Sequence, residues 1–304
     1  MGDKEYYENL LYLNSERIKV STGKERFVGV KVLKYLSLIK RLRFVRIFKE
    51  LNHDIYAFIK KDVSNNHIID FSQNAVSVFQ QKVVVYTSIF GGYDKMLEPL
   101  CVDENCEYYI FTDQNVPETS IWKKVDASLI PDYCDTPAKK NRYVKMFPHK
   151  LFDCLYSIYI DGNLQLVGHP SQLIQKKLNE CKTGIGMHLA PRENCIYEEA
   201  KNVCHVGKIS KSEKKQVLTL YKKSKMPRHF GMCECNVIVR NHNNVNMKQI
   251  MEKWWKYYLE GVKRDQLYFT YTVYTSGFKF TDIDTFGASV NNNIHFLRTE
   301  HAKR

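Results

Sequence analysis

With 304 residues, 44% hydrophobic and 13% aromatic, the chain can fill one large or two modest domain cores, which excludes a disordered protein. No run of about 18 apolar residues occurs, which excludes an apolar membrane-spanning helix, and the charged N-terminus lacks a signal-peptide core, so a cytoplasmic protein is expected. A formal charge of +13 calls for an anionic partner: nucleic acid, a lipid surface or a phosphorylated substrate.

Residues 1–80 read as a basic helical region distinct from the rest of the chain. Within 28–61, Val32, Leu33, Leu36, Ile39, Phe44, Ile47, Phe48 and Leu51 recur at helical spacing. Between Lys31 and Glu50, seven Lys or Arg stand against one acidic residue. Such a helix either lies on an anionic membrane surface or packs on the domain with its cations solvated. On the first reading Lys40, Arg41, Arg43 and Arg46 hold the protein peripherally at the inner membrane face. Asp62 to Asn74 is polar and reads as a linker.

The second domain is placed at 81–304. Lys82–Phe90 (KVVVYTSIF) is a buried strand running into Gly91-Gly92-Tyr93-Asp94, and Tyr108–Thr112 is a strand ending at Asp113. Pro137–Cys154 is a basic helix interrupted at Pro148, followed by a strand from Ser157 to Ile160. Gly184–His188 is a short strand, Glu193–Tyr221 helical, Cys235–Arg240 a strand and Met247–Glu260 a helix. Gln266–Tyr274 continues as helix or strand, and the tail from Thr281 reads as loop. Strands alternating with helices imply an α/β sandwich with a largely parallel sheet.

The nine cysteines are odd in number and scattered, as expected of reduced thiols. Cys233 and Cys235, with Cys195, Cys204 and His205, are an alternative zinc set, although no C-x-x-C occurs. Neither G-x-G-x-x-G nor G-x-x-x-x-G-K-[ST] is present, nor a G-x-S-x-G elbow. What remains are oxygen and amide groups at strand ends: Thr87, Ser88, Asp113, Asp161, Asn163 and Asn236. In α/β sheets, ligands bind at the carboxyl ends of strands. The run YSIYI delivers Asp161-Gly162-Asn163 to such an end, which is either a tight turn or a hard-cation site shared with phosphates. Arg142 and Lys145, one helical turn apart, could converge on a diphosphate or form a solvated basic face.

In order, VVVYTSIFGGYDKMLEP, YYIFTD, KKNRYVKMFPHKLF, YSIYIDGNLQL, GMCECNVIVRNHN and RDQLYF resemble nucleotide-sugar glycosyltransferases of the GT-A fold. More narrowly, they resemble a plant and bacterial glycosyltransferase-like family long catalogued as a domain of unknown function, with mucilage-related plant members. The retaining family of glycogenin and bacterial galactosyltransferases is a more distant likeness. The motifs run from Lys82 to His301 and leave out the first 80 residues.

This resemblance implies a GT-A, Rossmann-like, mixed and mostly parallel sheet flanked by helices. It implies sugar transfer from a nucleotide-sugar, a UDP-sugar in the first instance, to a glycan or lipid-linked glycan acceptor in surface polysaccharide synthesis. Asp161-Gly162-Asn163 stands where such enzymes keep an Asp-x-Asp for Mn²⁺ or Mg²⁺, with Asn163 replacing the second carboxylate; His295 or His301 would complete the site. Thr87, Ser88, Tyr93 and Asp113 would bind the nucleoside end of the donor, Arg142 and Lys145 its phosphates or sugar, and Asn236 its sugar. Asp265-Gln266 matches an Asp-Gln pair near the reacting carbon. An inverting enzyme would use Asp265 or Glu234 as base, a retaining one Gln266 beneath the anomeric carbon; retention is the preferred expectation.

Two other classes stay open. One is a non-catalytic basic module for nucleic acid or membrane, although no nucleic-acid motif is present and no nucleic-acid partner is expected. The other, implied by plant relatives, is a ceramidase-like hydrolase with zinc between His188, His229 and Asp161.

Overall fold

The computed structural model describes residues 81–191 and 193–302, so the basic helix expected over 28–61 lies outside the described residues. Nine strands are present among them. β1 (Val83–Ile89), β2 (Cys106–Thr112), β3 (Lys123–Lys124), β4 (Tyr156–Ile160), β6 (Ile185–Leu189), β7 (Cys233–Asn241) and β8 (Asp284–Ala288) form one sheet. Its order is β3-β2-β1-β4-β7-β6-β8. Only β7 runs against its neighbours, so the sheet is mixed and mostly parallel, as expected. A second, two-stranded sheet pairs β5 (Leu164–Leu166) antiparallel with β9 (Phe296–Arg298).

The helices are α1 (Pro137–Met146), α2 (Pro148–Leu151), α3 (Lys176–Glu180), α4 (Ile196–His205), α5 (Lys211–Lys223), α6 (Val245–Glu260) and α7 (Phe269–Thr275). Local chemistry sets their ends. Thr136 caps α1, accepting the Lys139 N–H at 3.2 Å, and Pro137 fills the first turn, where a missing N–H costs nothing. Ser210 and Glu213 close a capping box on α5, and the Asn244 side chain accepts two N–H groups at the start of α6. Among the described residues no helix is long and apolar enough to cross a membrane.

The central strands are buried on both faces, which is why β1 reads as an unbroken apolar run. Val84, Tyr86 and Tyr159 enter one core cluster with Trp254, Tyr221 and Ile238, while Val83, Val85, Ile158 and Ile160 enter the other with Leu173 and Phe286. The expected boundaries hold for β1, β4 and α1. The expectation of a loop-like tail is corrected: β8 adds to the main sheet beside β6, and β9 covers β5. Both are short, and Asp284 and Gly287 interrupt the apolar pattern of β8, so periodicity gave no strand signal there. Gln266–Tyr274 resolves into a 3-10 turn, Asp265–Leu267, and then α7.

Candidate active site

The carboxyl end of β4 delivers Asp161. Its N–H donates to the Asn236 carbonyl at 2.8 Å, extending the β4–β7 ladder by one residue. Its Oδ1 accepts from the Tyr159 hydroxyl at 2.8 Å and from Lys145 Nζ at 3.3 Å. Lys145 lies on the inner face of α1 and is only 2% exposed; the same Nζ reaches Asp265 Oδ2 at 2.9 Å. Arg142, one turn earlier, places Nε 3.2 Å from that Asp265 oxygen. The structure therefore unites Arg142, Lys145, Asp161 and Asp265, four residues from three separate stretches of sequence, into one ion cluster.

Each member is held from behind. Trp254 on α6 donates its indole N–H to the Asp265 carbonyl at 2.8 Å, and the Tyr221 hydroxyl donates to the Leu267 carbonyl at 2.6 Å, fixing the 3-10 turn. Arg240 on β7, fully buried, donates from Nη2 to the Lys145 carbonyl at 2.6 Å and from Nη1 to the Tyr86 hydroxyl at 3.0 Å. It thereby satisfies an orphan carbonyl at the negative end of α1. The sequence reading missed Arg240, whose signal was a lone cation closing the apolar run CNVIV.

Burial alone would raise the Asp265 pKa, but the charges of Arg142 and Lys145 outweigh it and hold the carboxyl well below the usual carboxylate range. This corrects the expectation of Asp265 as a base, because a carboxylate stabilised as an anion by two cations has little proton affinity near neutral pH. Glu234, the other candidate base, is likewise engaged: its Oε2 accepts from the Val290 N–H at 2.8 Å and from Asn236 Nδ2 at 3.4 Å. Gln266, half-buried beside Asp265, keeps its amide without a hydrogen bond among the described residues. The side-chain Oδ1 of Asn236 and the Thr87 hydroxyl are buried without hydrogen-bond partners among the described residues.

The β1 end is more committed than expected. Ser88 exchanges hydrogen bonds with Asn141 on α1, receiving Nδ2 at 2.8 Å, so it anchors that helix and is not open to a nucleoside. Arg142 Nη1 contacts Asn141 Oδ1, adding to this anchor. Gly91 and Gly92 both take left-handed φ, +67° and +62°, and Asp113 accepts the Gly91 N–H at 2.7 Å, tying the turn after β1 to the end of β2.

The C-terminal segment crosses the Asp161-Gly162-Asn163 turn. The Asn163 carbonyl accepts from the Thr299 N–H at 2.8 Å, and Asn163 Nδ2 donates to the Thr299 carbonyl at 3.3 Å. His301 then pairs through Nδ1 with Asp94 at 2.7 Å, and its ring lies 4.8 Å from the half-exposed ring of Tyr93. Asp94 packs against the turn itself: a Cβ on Gly162 would meet Ile89 Cγ1 at 2.8 Å and Asp94 Oδ2 at 3.2 Å. His301, Tyr93 and Asp94 thus join the turn, although Asp94 was not anticipated.

His295 does not join it. It is fully buried, its ring held by Asn293 Oδ1 at 3.0 Å and Gln172 Oε1 at 2.8 Å, and its role is structural, correcting its assignment to the metal. The zinc alternatives are not assembled either. His188 is buried against Asn293, with burial pushing its pKa down to about 3, and His229 pairs with Asn194 at the surface. Among the described residues no group of three His, Cys, Asp or Glu converges on a point that could hold a metal ion.

The residues present do not fit the Mn²⁺ or Mg²⁺ that the sequence resemblance implies. A hard cation wants several anionic oxygens. Here Asp161 spends Oδ1 on Lys145 and Tyr159, Asn163 is neutral, and His301 faces Asp94. Arg142 and Lys145, expected at the phosphates or sugar of the donor, are paired with carboxylates. Their two positive charges are matched by Asp161 and Asp265, leaving the cluster neutral.

Comparison with known proteins gives the family. The glycosyltransferase-like domain described as TOD1/MUCI70 matches residues 12–298, a span that takes in most of the N-terminal stretch outside the motifs. The chain is 24% identical over 188 residues to the probable hexosyltransferase MUCI70 of Arabidopsis thaliana, covering 53% of this chain and 32% of that protein. It thus spans about a third of the length of that curated relative. Among solved structures, the apo form of mouse xyloside xylosyltransferase 1 aligns with TM-score 0.39 at 10% identity, over 67% of this chain and 84% of the other. Apo GlyE, a glycosyltransferase of Streptococcus pneumoniae TIGR4, aligns with TM-score 0.34 at 11% identity, over 66% and 44%. With a family match running through nearly its whole length, this chain belongs to the TOD1/MUCI70 glycosyltransferase-like domain family.

Proposed function

We propose that this protein transfers a hexosyl unit from a nucleotide-sugar, a UDP-sugar in the first instance, to a hydroxyl of a glycan or lipid-linked glycan, with retention of anomeric configuration. The observation that carries this is the ion cluster at the carboxyl end of β4, with the buried, unpartnered side-chain Oδ1 of Asn236, whose backbone pairs with Asp161, and with Gln266 next to Asp265.

Glycosyl transfer builds positive charge on the anomeric carbon while negative charge grows on the departing phosphate. Asp265 and Asp161 are anions fixed before the reaction, and a preorganised charge needs no reorganisation as the transition state forms. Arg142, about a quarter exposed, presents the accessible edge of the cluster. Asn236 and Gln266 are suited to the hydroxyls and anomeric face of the donor sugar.

Retention follows from the proton balance. Inversion needs a free carboxylate to take the acceptor proton. Asp265 is held as a non-basic anion, and Glu234 is tied to Val290 and Asn236. In a front-face transfer the C–O bond to the phosphate breaks, the acceptor oxygen bonds to the same carbon, and the departing phosphate oxygen takes the acceptor proton. No protein base is then required.

The test is a thermal-shift screen of nucleotide-sugars on the full chain, followed by NMR of the product anomer. A shift with one nucleotide-sugar and a product of unchanged anomeric configuration is expected. An inverted product would refute the retaining assignment, and no response to any nucleotide-sugar would refute the transferase.

A further inference from the structure

The neutral ion cluster leaves an electrostatic deficit. A nucleoside diphosphate carries about two to three negative charges at neutral pH. An Asp-x-Asp site offsets these with a divalent cation, but Asn163 and the engaged Asp161 do not form one. Either the leaving group departs without compensation, which the chemistry disfavours, or other cations supply it.

Three cations border the same mouth and form no ion pair among the described residues. Arg264 directly precedes Asp265, and its Nε is buried without a hydrogen-bond partner. Arg298 is exposed on β9, registered opposite Leu164, so it flanks Asn163 and the Thr299 that hydrogen-bonds to it. Lys208 follows α4, which packs on the turn carrying Asp265. Although Lys208 stays more than a third exposed, its pKa is lowered, by surrounding protein first and then by Arg264 and Arg298, with Glu199 opposing. Lys208 thus feels the charges of both Arg264 and Arg298, with Glu199 opposing them. Clustered like charges are destabilising unless an anion joins them.

We infer that Lys208, Arg264 and Arg298 form the subsite that receives the donor's diphosphate, in place of a bridging divalent cation. This rests on the transferase reading and goes beyond it by assigning the leaving-group site and removing the metal from it. Guanidinium groups suit the role because their forked donors match phosphate oxygens pairwise. The buried, unpartnered Arg264 Nε then acquires the acceptor it lacks.

Isothermal titration of the full chain with UDP and with inorganic pyrophosphate, each in excess EDTA and in Mn²⁺, tests this. Wild-type protein is expected to bind both in EDTA, with Kd changed less than about twofold by Mn²⁺. Arg264→Gln and Arg298→Gln are each expected to weaken binding about tenfold, the loss of one charge-assisted contact. Lys150→Gln, at a surface pair with Glu252, should change nothing. Arg298 is exposed, so its variant tests the site even if Arg264→Gln fails to fold. Binding that requires Mn²⁺, or binding in EDTA that survives both substitutions, overturns the inference while leaving the transferase intact. Absence of UDP binding in both conditions overturns both.

Discussion

Asp265→Asn removes the anion that both α1 cations share while keeping the shape of the side chain. Lys145 would then be 2% exposed with a single carboxylate, Asp161, at 3.3 Å. Removing one partner of a buried pair costs about 3–5 kcal/mol, because the other charge stays buried. Asp161 and the Tyr159 ring, whose centroid lies 5.1 Å from Lys145 Nζ, retain part of the compensation, which favours the lower end, about 3 kcal/mol. For a domain of this size that corresponds to a fall in Tm of roughly 6–12 °C. The sign with pH is also set. The folded pKa of Asp265 lies below its ordinary value of 3.8, so its stabilisation is present above that value and is lost as pH falls through the folded pKa. Thermal melts of wild type and variant should therefore differ by a constant interval from about pH 8 to pH 5 and converge only in stronger acid. Equal melting temperatures at pH 7 would refute the buried cluster.

Asp284 behaves oppositely: burial raises its pKa to about 6, and its Oδ2 has no partner, so its ionised form destabilises the fold as pH rises from about 4 through about 6. Asp284→Asn should add about 1–3 kcal/mol at pH 7.5, seen in urea titrations, and nothing at pH 4. Arg240→Leu leaves the Tyr86 hydroxyl without its buried donor and the Lys145 carbonyl with only the Tyr86 hydroxyl at 3.3 Å, and a loss of about 1–3 kcal/mol is expected by chemical denaturation, with reduced transfer. Gly162→Ala drives a methyl into Ile89, so transfer should fall at least about tenfold, and the added Ile89→Val change should recover part of it in the same activity assay.

The sheet was legible because its central strands are buried on both faces and read as VVVYTSI and YSIYI, bounded by Gly and Asp. β8 and β9 were not, since Asp284 and Gly287 interrupt the apolar pattern of β8 and three residues of β9 are too few to show a period. At the site, helical spacing singled out Arg142 and Lys145, a strand end Asp161 and the family resemblance Asp265, without showing how their charges pair. One-dimensional reading shows cations near a phosphate site; only the fold shows that two buried carboxylates have already taken them. The two histidines illustrate the same gap. They stand six apart in the tail, yet β9 buries His295 against Gln172 and carries His301 on to Asp94 at the turn. Arg240 and Trp254, which hold the cluster from behind, act through backbone carbonyls distant in sequence.

The most direct test of the account is nucleotide release from a nucleotide-sugar and an acceptor, compared between wild type and Asp161→Ala. Asp161 is about a third exposed and Lys145 keeps Asp265 at 2.9 Å, so the variant should fold, with a lower Tm recorded beside its activity. Acceptor-dependent nucleotide release by wild type and its loss in Asp161→Ala are expected. Release by the variant at the wild-type rate, or none by wild type with any nucleotide-sugar, would contradict it.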